Sequence, residues 1–535
     1  MRAHDESGLA IATALARLSL ALLLSGGLAC VVVAQPGDAW AQRPQRPAAP
    51  GAQAPAPENA REKPSPPAAI RSLPPDAVTT HAMMLAGQKI AYTARAGTLT
   101  LTDGKGQKLA AIFYVAYTRD GEDKAKRPIT FALNGGPGAA SAYLDMGAIG
   151  PRILDFGGGR SLPRPRAALI DNPDTWLDAT DLVFIDPVGT GYSFATVGDQ
   201  DAQKDFFGVR QDLDALGAII RRVLLKLDRY DSPVYLVGES YGGFRAARLP
   251  LTLANDEGIA VSGTILVSPV LEFSLMDGDD FDPLPWALKL PSYAAVNLEK
   301  HGDLMPQALK PAESFALGDY LASLVAPLGD AAAAAKIDAS VADLIGIPER
   351  EVARWRGRVP TGVFIKSIHH DDGEIVSRYD GSVAGPDPDP SAYSANRGDP
   401  ILAGLTAPLT SGFVAYLRDE LNFKTDRRYV LLSSEVGRKW QWDTHGPSDS
   451  VGAASELARA LALNPKLKVM IAHGMTDLVT PYMMSRYVID HLPATIARDR
   501  IALTLYPGGH MMYLRPGSRA ALHADAKRLF APAAE

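Results

Sequence analysis

The sequence predicts an α/β fold, a mostly parallel central sheet flanked by helices with a cap inserted before its last strands. Three observations predict it. Residues 234–243, Val-Tyr-Leu-Val-Gly-Glu-Ser-Tyr-Gly-Gly, carry an apolar strand pattern into a glycine-flanked serine at G-x-S-x-G spacing. A helical repeat over 211–227 precedes that strand, and an apolar run at 263–267 follows it. Such alternation belongs to parallel sheets. The stretch 271–430 then breaks the alternation, before strand-like runs resume at 467–473 and 501–506.

The elements follow in order. Arg2 and Arg17 precede the apolar stretch 18–34, and Ala39-Trp40-Ala41 offers a small-residue cleavage site. Residues 1–41 are therefore expected to be a signal peptide, with Ala34 as a second cleavage candidate and an uncleaved anchor as the rival reading. After cleavage no stable membrane insertion is expected, and the destination is the periplasm or beyond. Residues 42–75 are rich in Pro and Ala and read as a linker. The single cysteine, Cys30, falls in the signal, so the mature chain would hold neither thiol nor disulfide.

The first part of the core is expected over 76–270. It opens with antiparallel strands near 89–92, 98–101 and 111–115 and continues with a strand at 129–133. The strand at 234–237 should feed a sharp turn and a helix from near Phe244. Residues 271–430, with a helical run at 331–346 and a Pro-rich turn at 386–390, read as a cap over the site. The second part of the core is expected over 431–535.

Composition fits a large soluble domain with insertions. The chain has 535 residues, 47% hydrophobic and 21% charged, with a net charge of −6. No basic patch suggests nucleic acid as a partner. His369-His370-Asp371-Asp372 lacks a metal-ligand spacing, and Asp277-Gly278-Asp279-Asp280 lacks the later Glu of a calcium loop. No metal and no cofactor are expected. The oligomeric state is not legible.

The chemistry sits at the strand ends. A sharp strand-to-helix turn exposes the Ser240 hydroxyl as a nucleophile. A nucleophilic serine needs a base, and the base needs an orienting acid. Asp477 follows the run 467–473, and His510 follows the run 501–506. The order Ser, Asp, His and the loop positions fit a triad. His473 lies before the acid and reads as a core-edge histidine. Acyl transfer also needs donors for an oxyanion. The N–H of Tyr241 supplies one, and the loop Asn134-Gly135-Gly136-Pro137-Gly138 is expected to supply the other.

These residues carry a resemblance. Asn-Gly-Gly-Pro-Gly at 134–138 and Gly-Glu-Ser-Tyr-Gly at 238–242 resemble the serine carboxypeptidase family of α/β-hydrolases. Asn172-Pro173, Trp176, the segment 183–193 and His510-Met511 are similar to the family's sequence at those points. The resemblance implies Ser240 as nucleophile, Asp477 and His510 as its partners, and the N–H groups of Gly136 and Tyr241 as oxyanion hole. It also implies that Asn134, Gly135 and Glu239 hold a substrate carboxylate. Family members of eukaryotes are typically disulfide-bonded, so the chain resembles a bacterial branch.

There are departures. Ala132 stands where the family has Trp, and Ala148 where it has a second Glu that shares a proton with the first. Phe244-Arg245-Ala246-Ala247-Arg248 is unlike the family's sequence. Arg245 reads as a helix-surface arginine, the other reading being an electrostatic partner for Glu239. The leading expectation is an exported serine carboxypeptidase acting on peptides or proteins near their C-terminus. An esterase or acyltransferase with the same triad is the second reading. A binding protein whose triad is unused is the third.

Overall fold

The computed structural model describes residues 73–327, 329–395, 398–442 and 451–531. The expected signal segment, Cys30 and all but the last residues of the expected linker lie outside them.

Nine strands form the main path of a ten-stranded sheet among the described residues. They are β1 (Ala77–Leu85), β2 (Gln88–Thr102), β3 (Lys108–Arg119), β4 (Ile129–Leu133), β5 (Asp181–Ile185), β6 (Val234–Glu239), β7 (Val261–Val267), β8 (Lys468–Gly474) and β9 (Ile501–Tyr506). The spatial order is β1-β2-β3-β5-β4-β6-β7-β8-β9. The first three strands and the β3–β5 pair are antiparallel, and every later pair is parallel. With helices on both faces, this is an α/β-hydrolase fold.

The alternation of strand residues builds the two faces. Ile129, Phe131, Leu133, Leu236, Val469 and Ile471 point into one core with helices α1 (Val209–Lys226) and α2 (Tyr241–Asp256). Ala132, Val237, Val267, Met470 and Ala472 point into the other. A sheet covered on both sides needs such near-continuous apolar strands.

Two local expectations are corrected. The two strands expected at 89–92 and 98–101 are one, β2. Gly97 lies inside that strand, where the Asp76 carboxylate takes the space of a side chain, 2.6 Å from an ideal Cβ. Helix α2 starts at Tyr241 rather than near Phe244, because Ser240 itself takes the non-helical N-cap conformation.

Within 271–430, α3 (Leu284–His301), α4 (Ala331–Ile345) and the short helix Thr361–Ser367 form a third core around Leu290, Tyr293, Val341, Ile345 and Phe364. Leu478 joins this core from the loop after β8. Helix α5 (Pro400–Asp419) instead packs Ile401, Leu405, Leu409 and Phe413 into the core on the second face of the sheet, which also takes Leu522, Ala526 and Phe530 of the closing helix α6 (Pro516–Phe530).

Candidate active site

The residues singled out in the sequence converge at the C-terminal ends of parallel strands, where open α/β sheets place their sites. Strands β4 and β6 are paired neighbours, with Leu133 opposite Gly238. The glycine-rich loop and Ser240 therefore leave the sheet side by side.

The turn at Ser240 is strained. Its φ of 61° and ψ of −122° lie where a non-glycine residue rarely sits. The Ser240 N–H donates to Val267 O at 3.0 Å, which pins the corner to β7. Such close turns require glycine. A Cβ on Gly238 would sit 1.9 Å from Gly242 O, and one on Gly135 would sit 2.6 Å from Tyr241 N. The second distance shows how tightly the 134–138 loop meets the first turn of α2.

Asp477 and His510 are also brought together. Asp477 Oδ2 is 2.9 Å from His510 Nδ1. Asp477 Oδ1 accepts from the N–H groups of Val479 at 2.8 Å and Thr480 at 3.0 Å, and Oδ2 accepts from the Thr480 hydroxyl at 2.7 Å. The carboxylate is thus held by several donors and fully buried. Burial alone would lower the His510 pKa, but the Asp477 charge and hydrogen bond, with the Glu239 charge, raise it above the ordinary histidine value. With Nδ1 turned to Asp477, Nε2 is left for other work. Among the described residues neither His510 Nε2 nor the Ser240 hydroxyl makes a hydrogen bond.

Ser268 links the two halves. It follows Val267, the acceptor for Ser240, and its hydroxyl donates to His510 O at 2.8 Å. A strap at residues 378–381 closes the other side. Gly381 N–H donates to Thr476 O, Leu478 N–H to Arg378 O, and His510 N–H to Tyr379 O at 2.5 Å. The Tyr379 ring stands edge-on to His510, with centroids 5.5 Å apart. Arg515 anchors the strap through Asp380 at 3.0 Å and joins it to Glu299 of α3 at 2.9 Å.

Glu239 and Asn134 are buried together. Asn134 Nδ2 donates to Glu239 Oε2 at 3.0 Å, and Asn134 Oδ1 accepts from Leu144 N–H at 3.0 Å. The Tyr513 hydroxyl also donates to Glu239 Oε2, at 2.5 Å. Burial raises the Glu239 pKa, while the nearby His510, Tyr513 and Asn134 pull it down without cancelling the rise. Ala132 and Ala148 are both in the core.

The expectation for Arg245 changes. Arg245 is not on the helix surface: it is 1% exposed and forms a two-pronged ion pair with Asp212, at 2.7 and 3.0 Å. A charge so deep must be paired, and no local pattern marks Asp212 of α1 as its partner. His473 is wholly buried, with Nε2 2.8 Å from Ser485 Oγ, and burial pushes its pKa down to about 4. His369 Nδ1 pairs with Asp372 at 3.0 Å, and Asp279 caps its own turn through Phe281 N–H and Asp282 N–H. Tyr513, Thr480, Ser268 and Tyr379 carried no sequence signal, since each acts through a hydroxyl, ring or carbonyl that only the fold brings near.

Residues 87–257 match the family model of the serine carboxypeptidases, so the resemblance holds over that stretch. Serine carboxypeptidase-like 51 of Arabidopsis thaliana is 36% identical over 132 residues, 24% of this chain and 25% of that protein. The retinoid-inducible serine carboxypeptidase of Homo sapiens is 32% identical over 184 residues, 31% of this chain and 36% of that protein. The chain thus spans about a quarter to a third of the length of these curated relatives. Among solved structures, proline iminopeptidase of Mycobacterium smegmatis aligns with 81% of this chain and 99% of its own, at 14% identity and a TM-score of 0.34.

Proposed function

We propose that the chain is an exported serine hydrolase of the serine-carboxypeptidase type, acting on peptide bonds near the C-terminus of peptides or proteins. The observation that carries the reading is the Asp477–His510 pair, set at the sheet ends that also present the strained Ser240. In this reading Ser240 Oγ attacks the scissile carbonyl while His510 Nε2 takes its proton. Asp477 holds the imidazole tautomer and stabilises the imidazolium. The N–H groups of Gly136 and Tyr241 receive the oxyanion, and His510 returns the proton to the leaving amine. Water then releases the acyl group from Ser240 by the same steps in reverse order of role.

Asn134, Gly135 and Glu239 would meet the substrate's C-terminal group, and residues 271–430 would cap the site. Export, to the periplasm in a bacterium, is proposed from the charged and apolar pattern of residues 1–41.

One observation favours a second reading, an esterase or acyltransferase with the same triad. Glu239 has a phenol and an amide as partners rather than a second carboxyl group. A carboxylate so placed repels a substrate carboxylate unless it is protonated.

The test is a fluorophosphonate probe followed by a substrate panel. Labelling should fall on Ser240 and vanish in Ser240→Ala. Free C-terminal peptides should be cleaved faster than their amides at acidic pH. Equal cleavage of acids, amides and esters at every pH would move the protein to the second reading. Labelling that survives Ser240→Ala would remove both.

A further inference from the structure

Arg245 touches both halves of the proposed oxyanion site, and nothing in the triad chemistry assigns it a role. We propose that Arg245 is a positioning residue, anchored by Asp212, that fixes the loop carrying Gly136 against the helix turn carrying Tyr241. The proposal rests on the acyl-transfer reading of the site.

Three contacts carry it. The fork of the guanidinium meets the Asp212 carboxylate through Nε at 2.7 Å and Nη2 at 3.0 Å, which fixes its plane. Its remaining arm, Nη1, donates to Asn134 O at 2.6 Å. Its charge also lies 5.0 Å from the centre of the Tyr241 ring. Arg245 is 1% exposed and Asp212 is 5% exposed, so these bonds are shielded from bulk solvent.

The Asn134 carbonyl is the lever. In a trans peptide the C=O and the following N–H point in opposite directions. Holding Asn134 O toward Arg245 therefore sets the direction of the Gly135 N–H and the rotation of the chain entering Gly136. One residue on, Gly135 O accepts from Ala139 N–H at 3.0 Å, which sets the Gly136 N–H in the same way. Other bonds hold the ends of the loop, the Asn134 side chain to Glu239 and Leu144 and Gly138 O to Ser433 N–H at 2.8 Å, but the glycines between bring no side chains of their own. Lysine could do only part of this work, because a point charge cannot keep two bonds to Asp212 and aim a third at Asn134.

A clamp of this kind acts on the transition state. Substrate binding does not use a developed oxyanion, so a misplaced loop lowers kcat and leaves KM nearly alone. A merely structural arginine would lower the melting temperature and leave the kcat of the folded fraction unchanged.

The experiment compares wild type, Arg245→Met and Arg245→Lys in full-length protein. It reads turnover of a p-nitrophenyl ester and a peptide, thermal unfolding, and inhibition by a peptide boronic acid, which adds a tetrahedral anion to the serine. A single oxyanion donor is worth about 10²–10³ in rate. Arg245→Met should therefore lose about 10–100-fold in kcat, with KM within about threefold and boronate affinity falling in parallel with kcat/KM. Arg245→Lys should fall between the two, and it decides the matter if the Met variant does not fold. Unchanged kcat and boronate affinity in a folded variant, or a rise in KM alone, would overturn the positioning role while leaving the hydrolase reading intact. A wild type that neither turns over nor labels at Ser240 would overturn the hydrolase reading, and the positioning role with it.

Discussion

The Tyr513 hydroxyl donates a 2.5 Å hydrogen bond to Glu239 Oε2, next to the serine turn. The Tyr513 ring lies against Gly147, where a Cβ would come within 3.2 Å of it. The neighbouring Ala148 is the position at which the resemblance expects a second Glu. A phenol from the loop after β9 thus fills the space beside Glu239. The two groups differ in chemistry. A second carboxyl can share a proton with Glu239, whereas burial raises the Tyr513 pKa well above its ordinary value, so the phenol keeps its proton and cannot take the second carboxyl's part.

Tyr513→Phe tests the consequence. The hydrogen bond from Tyr513 lowers the Glu239 pKa, so its loss should raise that pKa further. Glu239 would then stay protonated to higher pH. For free C-terminal acids, the pH at which KM begins to rise should move upward. Neutral esters should show no such movement. Equal profiles for Tyr513→Phe and wild type on the acid substrate would mean that Glu239 does not meet the substrate carboxylate.

His473 and His510, both buried, should separate by pH. His510 must be neutral to take a proton, and its pKa is raised, so kcat/KM should fall with acid from above the ordinary histidine range. Asp477→Asn removes the charge that raises it. The acid limb should then move to lower pH, while kcat drops by about 10⁴. His473 behaves oppositely. Its folded pKa of about 4 lies below the unfolded value near 6.5, so the unfolded chain binds the extra proton first. Stability present above pH 6.5 is lost as pH falls from about 6.5 toward 4. Denaturant unfolding of His473→Gln should show a flatter slope across that window, with an unmoved kinetic profile. A displaced kinetic limb in His473→Gln would make His473 the base.

Much of this was legible in the sequence where the pattern is local. The strands before Asn134 and Ser240 and before Asp477 and His510 are short apolar runs ended by glycine or polar turns, and each appears where its run predicts. What stayed hidden depends on contacts between distant segments. Arg245 looked exposed because its helix repeat says nothing of Asp212, 33 residues upstream. The Tyr513–Glu239 bond spans 274 residues, and the strap from Arg378 to Gly381 reaches Thr476, Leu478 and His510 through backbone groups that any sequence carries. The expected boundaries of the inserted region gave no hint that its last helix, α5, packs on the sheet rather than with α3 and α4.

Strain at the serine should be measurable as stability. Ser240 holds a φ of 61° and ψ of −122°, which costs about 1–3 kcal/mol in a non-glycine residue. Glycine adopts positive φ freely but gives up about 0.5–1 kcal/mol to the entropy of the unfolded chain. Ser240→Gly should thus be inactive and more stable than Ser240→Ala, which keeps the β-carbon and the strain. Urea unfolding of the two inactive variants reads the difference directly. A Gly variant less stable than the Ala variant would mean that the turn is relaxed.

The last prediction concerns Gly135, where the two halves of the site touch. A Cβ there would lie 2.6 Å from Tyr241 N and 2.7 Å from Glu239 O. Both are backbone atoms, so no side chain can swing away to make room. Gly135→Ala must therefore push the loop off the helix turn by several tenths of an ångström or more. The displaced pieces are the two N–H groups proposed to share the oxyanion, and about 10²-fold or more of kcat should be lost. Ser240 itself stays in place, pinned by its bond to Val267 O. Fluorophosphonate labelling should slow by a similar factor, because phosphonylation also builds charge on an oxygen held at that point. Peptide binding to a Gly135→Ala, Ser240→Ala double variant should weaken far less than kcat falls, since it reads the pocket without the reaction. An equal loss in binding would mean that Gly135 acts through its proposed contact with the substrate's C-terminal group alone and not through the oxyanion geometry.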